Sequence, residues 1–119
     1  MISLKRFGKS LSHAWHGLKE VWSREQSFRI HLLAFILLLI VIVGLGISGI
    51  EAAVLILVAA MVIVLELANS IFERWLDIVS PRVGAQVRDA KDIMAAAVLV
   101  CSLAALAVGA IIIIPHIKF

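Results

Sequence analysis

Apolar runs alternate with short charged segments along most of this chain. Leu32–Ile50 holds 19 residues without a charge and Ile93–Ile114 holds 22. At a rise of about 1.5 Å per residue, either run crosses the roughly 30 Å hydrocarbon layer of a bilayer as a helix. A third run, Ala52–Leu65, holds 14 uncharged residues and then meets Glu66. That is too short to span alone, so the second helix has to continue through the acidic residues that follow. The pattern predicts transmembrane helices over residues 29–49, 51–79 and 90–115, with approximate ends. Gly44, Gly46 and Gly49 with Ser48 predict a tight reversal between the first two. Ser80-Pro81 predicts the end of the second, and Ser80–Gln86 a short loop with Gly84 at its turn. Ala97, Cys101, Ala105 and Gly109 recur every fourth position. Such a ridge of small residues predicts close approach of another helix.

The segment ahead of the first run has a different period. Phe7, Leu11, Ala14, Trp15, Leu18, Val21 and Trp22 share an arc of roughly 120° on a helical wheel, with Lys9, Ser12, His16, Lys19 and Glu20 opposite. This predicts an amphipathic helix over residues 5–25 or so, lying on a membrane surface with its tryptophans at headgroup level. A helix packed on a partner protein fits the same pattern. Glu25 would fall on the apolar side if the helix continued, so it either ends the helix or faces a protein site. The fold class is therefore all-α and integral to the membrane: one surface helix and three spans.

Composition agrees. Apolar residues make up 63% of the 119-residue chain and charged residues 16%, too few for the surface of a soluble domain. Cys101 is the single cysteine and lies in an apolar run, which excludes a disulfide framework and a thiolate metal cluster. The long charged segment before the first run is unlike a secretory signal. The basic residues lack interleaved aromatic platforms, so no nucleic-acid partner is expected, and such charge suits anionic headgroups. Lysine and arginine cluster before the first run (Lys5, Arg6, Lys9, Lys19, Arg24, Arg29) and between the second and third (Arg74, Arg82, Arg88, Lys91); Lys118 stands alone at the far end. The positive-inside rule then places the N-terminus and the 2–3 loop in the cytoplasm and the C-terminus outside.

The candidate chemistry lies in Glu66–Asp77. At about 100° per residue, with Glu66 at zero, Asn69 falls near −60°, Glu73 near −20°, Asp77 near +20° and Ser70 near +40°. Three carboxylates, an amide and a hydroxyl share one helix face, which is costly beside hydrocarbon and marks a functional site. Interhelical polar glue is the plainer reading. Glu66 falls inside the membrane, Glu73 near the aqueous boundary and Asp77 beyond it. Carboxylates around a cavity suit a hard cation such as Mg²⁺ held against phosphates. A desolvated carboxylate also suits general-base work. Lys91 and the N-terminal arginines could meet phosphate oxygens. These are the parts of a phosphoryl-transfer site, and equally of a proton or cation pathway. Gly8-Lys9-Ser10 resembles the end of a phosphate loop, but Ser3 stands where its first glycine belongs and no strand precedes it. His13, His16, His31 and His116 lack metal-ligand spacing and read as interfacial.

Three stretches resemble the small prokaryotic diacylglycerol kinase family: Glu66-Leu67-Ala68-Asn69-Ser70 with Glu73 and Asp77; Ala90-Lys91-Asp92 with Ala95–Val100; and Glu25-Gln26-Ser27-Phe28-Arg29-Ile30-His31. The resemblance covers nearly the whole chain, from about Arg6 to Pro115, and implies a bacterial inner or cytoplasmic membrane. Phe28-Arg29-Ile30-His31 matches the undecaprenol kinase branch. Ala68, Ile71, Phe72 and Ala96 depart from the family's usual residues without removing a chemical group. The resemblance implies a homotrimer with active sites shared between subunits, using ATP and Mg²⁺ to phosphorylate a membrane lipid alcohol: undecaprenol, or alternatively diacylglycerol. It implies that Glu66 is the catalytic base and that Glu25 and Glu73 hold Mg²⁺. Arg6, His13, Glu25, Asn69, Glu73, Lys91 and Asp92 would bind the nucleotide. Trp15, Phe28, Arg29, Glu66 and Ala95 would meet the lipid. A small proton- or cation-conducting oligomer and an assembly subunit are the rival classes.

Overall fold

A computed structural model of the chain describes residues 1–79 and 84–117. Four helices follow in order: α1 (Leu4–Arg24), α2 (Gln26–Gly44), α3 (Gly49–Val79) and α4 (Ala85–Ile113), and α4 runs into a short 3₁₀ turn, Ile114–His116. Helices α2, α3 and α4 are each long and apolar enough to cross a membrane, and they pack as an up-down-up group in which α3 touches both neighbours. Few side chains are buried in this small group. Leu37, Ile40, Leu57, Val64, Leu106 and Ile111 are all exposed, which hydrocarbon surroundings tolerate and water does not. With 31 residues, α3 is about 46 Å long at the usual rise. It outreaches the hydrocarbon by about 16 Å, so its polar C-terminal part projects beyond it.

The helix ends follow from local chemistry. Ser3 caps α1 by accepting a hydrogen bond from the Arg6 amide through its hydroxyl. Only Glu25 separates α1 from α2. It is extended (φ −121°, ψ 114°), yet its N–H still donates to the Val21 carbonyl and its carbonyl accepts from the Arg29 amide. The first span thus starts at Gln26, nearer the N-terminus than residue 29. It also ends earlier than residue 49, at Gly44. The reason is a left-handed residue, Gly46 (φ 67°), which only glycine adopts cheaply. The Gly46 amide donates to the Val43 carbonyl and the Ile47 amide to the Ile42 carbonyl, the paired bonds of a Schellman cap. Ile42 and Ile47 then meet Leu55, and these three form the buried cluster at this end. His116 sits 3.7 Å from Glu51 here, linking the start of α3 to the 3₁₀ turn.

Gly84 is the N-cap of α4, so Ala85 and Gln86 belong to a helix rather than to the expected loop, and the third span's helix begins well before residue 90. The expected stop at Ser80-Pro81, the remaining loop positions with Arg82, and Lys118 lie outside the described residues. Part of the small-residue ridge of α4 borders a groove rather than a packed helix. Ala105 and Gly109 line an apolar groove, and a Cβ added at Gly109 would have nothing within 4 Å.

Candidate active site

The site lies at the end of the bundle where α2 begins, α3 has become polar, and α4 has entered its uncharged run. α3 supplies Glu66, Asn69, Ser70 and Glu73, one helical turn apart or adjacent, as the wheel of polar residues required. Glu66 is 2% exposed and Ser70 1%. A carboxylate so deeply placed needs partners, because an uncompensated buried charge costs several kcal/mol. Both partners come from α2, on one face and four residues apart. The Ser27 hydroxyl donates to Glu66 Oε1 at 2.9 Å, and His31 Nδ1 lies 2.8 Å from the same oxygen. The Nδ1 contact is close but not aligned as a hydrogen bond. On its other side, His31 Nε2 is 3.5 Å from the Ser102 hydroxyl of α4.

Glu25 is held from α3. The Ser70 hydroxyl donates to Glu25 Oε1 at 2.6 Å, short as expected for a hydroxyl–carboxylate bond. The break between α1 and α2 is what turns this side chain inward, so Glu25 both ends a helix and faces the site. Glu25, Ser27, His31, Glu66, Asn69 and Glu73, with Ala95, Val98 and Ser102 of α4, line one cavity of about 530 Å³. A second cavity, of about 460 Å³, runs on between the three spans and is lined by apolar side chains from Ile30 to Gly109. His31 and Ser102 line both, so Glu66 stands beside the junction of a polar chamber and an apolar groove.

The donor chemistry fits Mg²⁺. Two carboxylates, Glu25 and Glu73, share the chamber with Asn69 Oδ1, a buried oxygen without a hydrogen-bond partner. No group of three or more His, Cys, Asp or Glu side chains poised on a metal occurs among the described residues. Mg²⁺ does not require one, since it is ordinarily held by one or two carboxylates together with phosphate oxygens and water.

A sequence model described as prokaryotic diacylglycerol kinase matches residues 12–113. The chain belongs to the prokaryotic diacylglycerol kinase family. It is 31% identical to the undecaprenol kinase of Bacillus subtilis over 114 residues, which cover 96% of this chain and 93% of that protein. It is 29% identical to the diacylglycerol kinase of Escherichia coli K12 over 115 residues, 93% of this chain and 91% of that one. A diacylglycerol kinase of Synechocystis is 32% identical over 107 residues; the match covers 89% of this chain and 61% of that longer protein. The chain is accordingly a membrane lipid kinase, and the reading as a conducting oligomer or an assembly subunit gives way.

Of the residues the sequence singled out for this kinase family, the subunit gathers Glu25, Glu66, Asn69, Glu73 and Ala95 around one cavity. Glu25 reaches Ser70 of its own chain, so no second subunit is needed to bring these five together. Others lie elsewhere. Lys91 Nζ pairs with Asp77 Oδ1 at 2.8 Å, tying α4 to the end of α3. That explains Asp77, whose role the acidic face left open. Asp92 is exposed, as are Arg6, His13 and Trp15 on α1. Phe28 is fully buried and Arg29 half-buried, and neither lines either cavity. Sequence reasoning missed Ser27, Ser102 and the contact of His31. Ser27 and His31 are polar residues four apart at the start of an apolar run, and Ser102 is a hydroxyl inside another; that spacing was the available signal.

Proposed function

We propose that this lipid kinase transfers the γ-phosphoryl group of ATP, with Mg²⁺, to the hydroxyl of a membrane prenol, undecaprenol in preference to diacylglycerol. The observation that carries the reading is the position of Glu66, buried where the polar chamber opens onto the apolar groove. A lipid alcohol with its hydrocarbon in the groove brings its hydroxyl to that junction. Glu66 Oε1 is occupied by Ser27 and His31, which leaves Oε2 to take the hydroxyl proton. The lipid oxygen then bonds to the γ-phosphorus as the bond to the β–γ bridging oxygen breaks and ADP departs. Glu25 and Glu73 would hold Mg²⁺, and Asn69 lies within the same chamber. Bound there, the ion neutralises phosphate charge, the service it gives in phosphoryl transfer generally. Lys91 and Asp92 sit on the aqueous turn of α4, where the nucleotide arrives. Ala95 contributes the small wall between the two.

The preference for a prenol is supported by His31 and by the likeness to the undecaprenol kinase of Bacillus subtilis. Helix α1 lies on the cytoplasmic surface with Phe7, Leu11 and Trp15 toward the headgroups, which accounts for their exposure; Arg6 and His13 then reach the nucleotide only from the surface side. The exposed apolar sides of the spans are covered by lipid and by two more copies of the chain, as a homotrimer in the cytoplasmic membrane. The test is direct. Purified protein with radiolabelled ATP is offered undecaprenol, diacylglycerol and ceramide in parallel. The reading expects undecaprenol to be phosphorylated fastest; faster labelling of diacylglycerol reverses the preference, and labelling of none removes the activity.

A further inference from the structure

His31 has entered the mechanism so far only as a neighbour of Glu66 Oε1. Its surroundings are specific. The Ser102 hydroxyl donates to the Val98 carbonyl at 2.8 Å. Ser102 Oγ also lies 3.5 Å from His31 Nε2, and His31 Nδ1 lies 2.8 Å from Glu66 Oε1, on a carboxylate 2% exposed. The imidazole is thus seated between α3 and α4, touching the carboxylate at one ring nitrogen and the hydroxyl at the other.

We propose that His31 is a positioning residue for Glu66: Ser102 steadies the ring, and the ring and Ser27 fix Oε1, so that Oε2 is left to face the acceptor. The inference rests on Glu66 being the base. It adds that the base is not a lone carboxylate but half of a His–Glu pair braced by all three spans. The groups facing the pair are Ser27 on its own helix, Ser102 from α4, and the Glu25 and Glu73 carboxylates across the chamber; α4 brings no charged side chain to the cavity lining.

The experiment compares His31→Ala, His31→Asn and His31→Gln in the full-length protein, each alone and combined with Glu66→Gln. An asparagine amide reaches the place of Nδ1, whereas a glutamine amide reaches that of Nε2. The expected result is a kcat lower by about 10- to 100-fold for His31→Ala, in the range of a misplaced proton acceptor. The KM for Mg·ATP stays within about twofold, and the acid limb of the kcat–pH profile moves. His31→Asn should recover part of the loss and His31→Gln should not. In the Glu66→Gln background His31→Ala should have no further effect, as for residues acting as a unit. A kcat for His31→Ala within twofold of wild type, an unmoved pH profile, or an Asn variant no better than Ala overturns the inference. Because Asn and Ala are compared at the same position, misfolding of one does not hide the outcome. Activity in Glu66→Gln alone overturns the base reading instead, which keeps the two failures apart.

Discussion

The Ser70 hydroxyl donates to Glu25 across 2.6 Å, joining the one non-helical residue between α1 and α2 to a buried turn of α3. This bond fixes where a carboxylate from a helix junction enters the site. A hydrogen bond to a charged group contributes about 1.5–3 kcal/mol. Ser70→Ala should therefore raise the KM for Mg·ATP by about tenfold or more while protein yield and oligomeric size stay unchanged. Titration of rate against ATP at saturating lipid measures it.

Glu73 lies on the same side of α3 as Glu66, about two turns further out, and is half-exposed. If it shares the cation with Glu25, Glu73→Ala should shift the Mg²⁺ dependence of the rate upward by about tenfold, since one of two carboxylate ligands is lost. Activity against Mg²⁺ at fixed ATP reads this. An unchanged Mg²⁺ midpoint assigns the carboxylate another task.

The Asp77–Lys91 pair makes a contrasting case. Asp77 is two-thirds exposed on its side chain, and exposed ion pairs contribute at most about 1 kcal/mol. Asp77→Asn should leave kcat and the thermal midpoint close to wild type. Lys91→Ala, by removing a cation from the nucleotide's approach, should raise the KM for ATP several-fold. Parallel kinetics and thermal unfolding of the two variants separate the structural partner from the functional one.

Gly109 tests the apolar groove. It lines that groove, and a Cβ there would meet no atom within 4 Å, so Gly109→Leu is the change that narrows the groove. The leucine would fill the track proposed for the hydrocarbon chain. The KM for the lipid should rise by about tenfold or more with the KM for ATP unmoved, measured by varying each substrate in mixed micelles. Equal effects on both would place the chain elsewhere.

Helical periods and charge-free lengths were sufficient to read the three spans, because hydrocarbon imposes length and apolarity on any segment that crosses it. They also placed Glu66, Asn69 and Glu73 on one face, since a single helix fixes that relation by itself. What was hidden depended on pairs from different helices. Ser27 and His31 are ordinary polar residues until α3 is set beside α2 and brings Glu66 between them. The role of Asp77 stayed open until α4 set Lys91 next to it. The early end of the first span was hidden for another reason: three glycines near one turn do not say which will take the left-handed conformation. Gly46 and Gly49 both do, and the Ile42–Ile47–Leu55 cluster forms beside the cap at Gly46. The ridge of small residues on α4 pointed to close packing, whereas within the subunit Ala105 and Gly109 border a groove.

The central claim is that Glu66 takes the proton of the lipid hydroxyl. The most direct measurement is the rate of phosphoryl transfer by Glu66→Gln, which keeps the shape of the side chain and its capacity to hydrogen-bond Ser27 while removing the base. The account predicts a kcat lower by about 10²–10⁴-fold, the usual contribution of a positioned base, with Mg·ATP binding and oligomeric size unchanged. A Glu66→Gln protein that turns over at near-wild-type rate would contradict it.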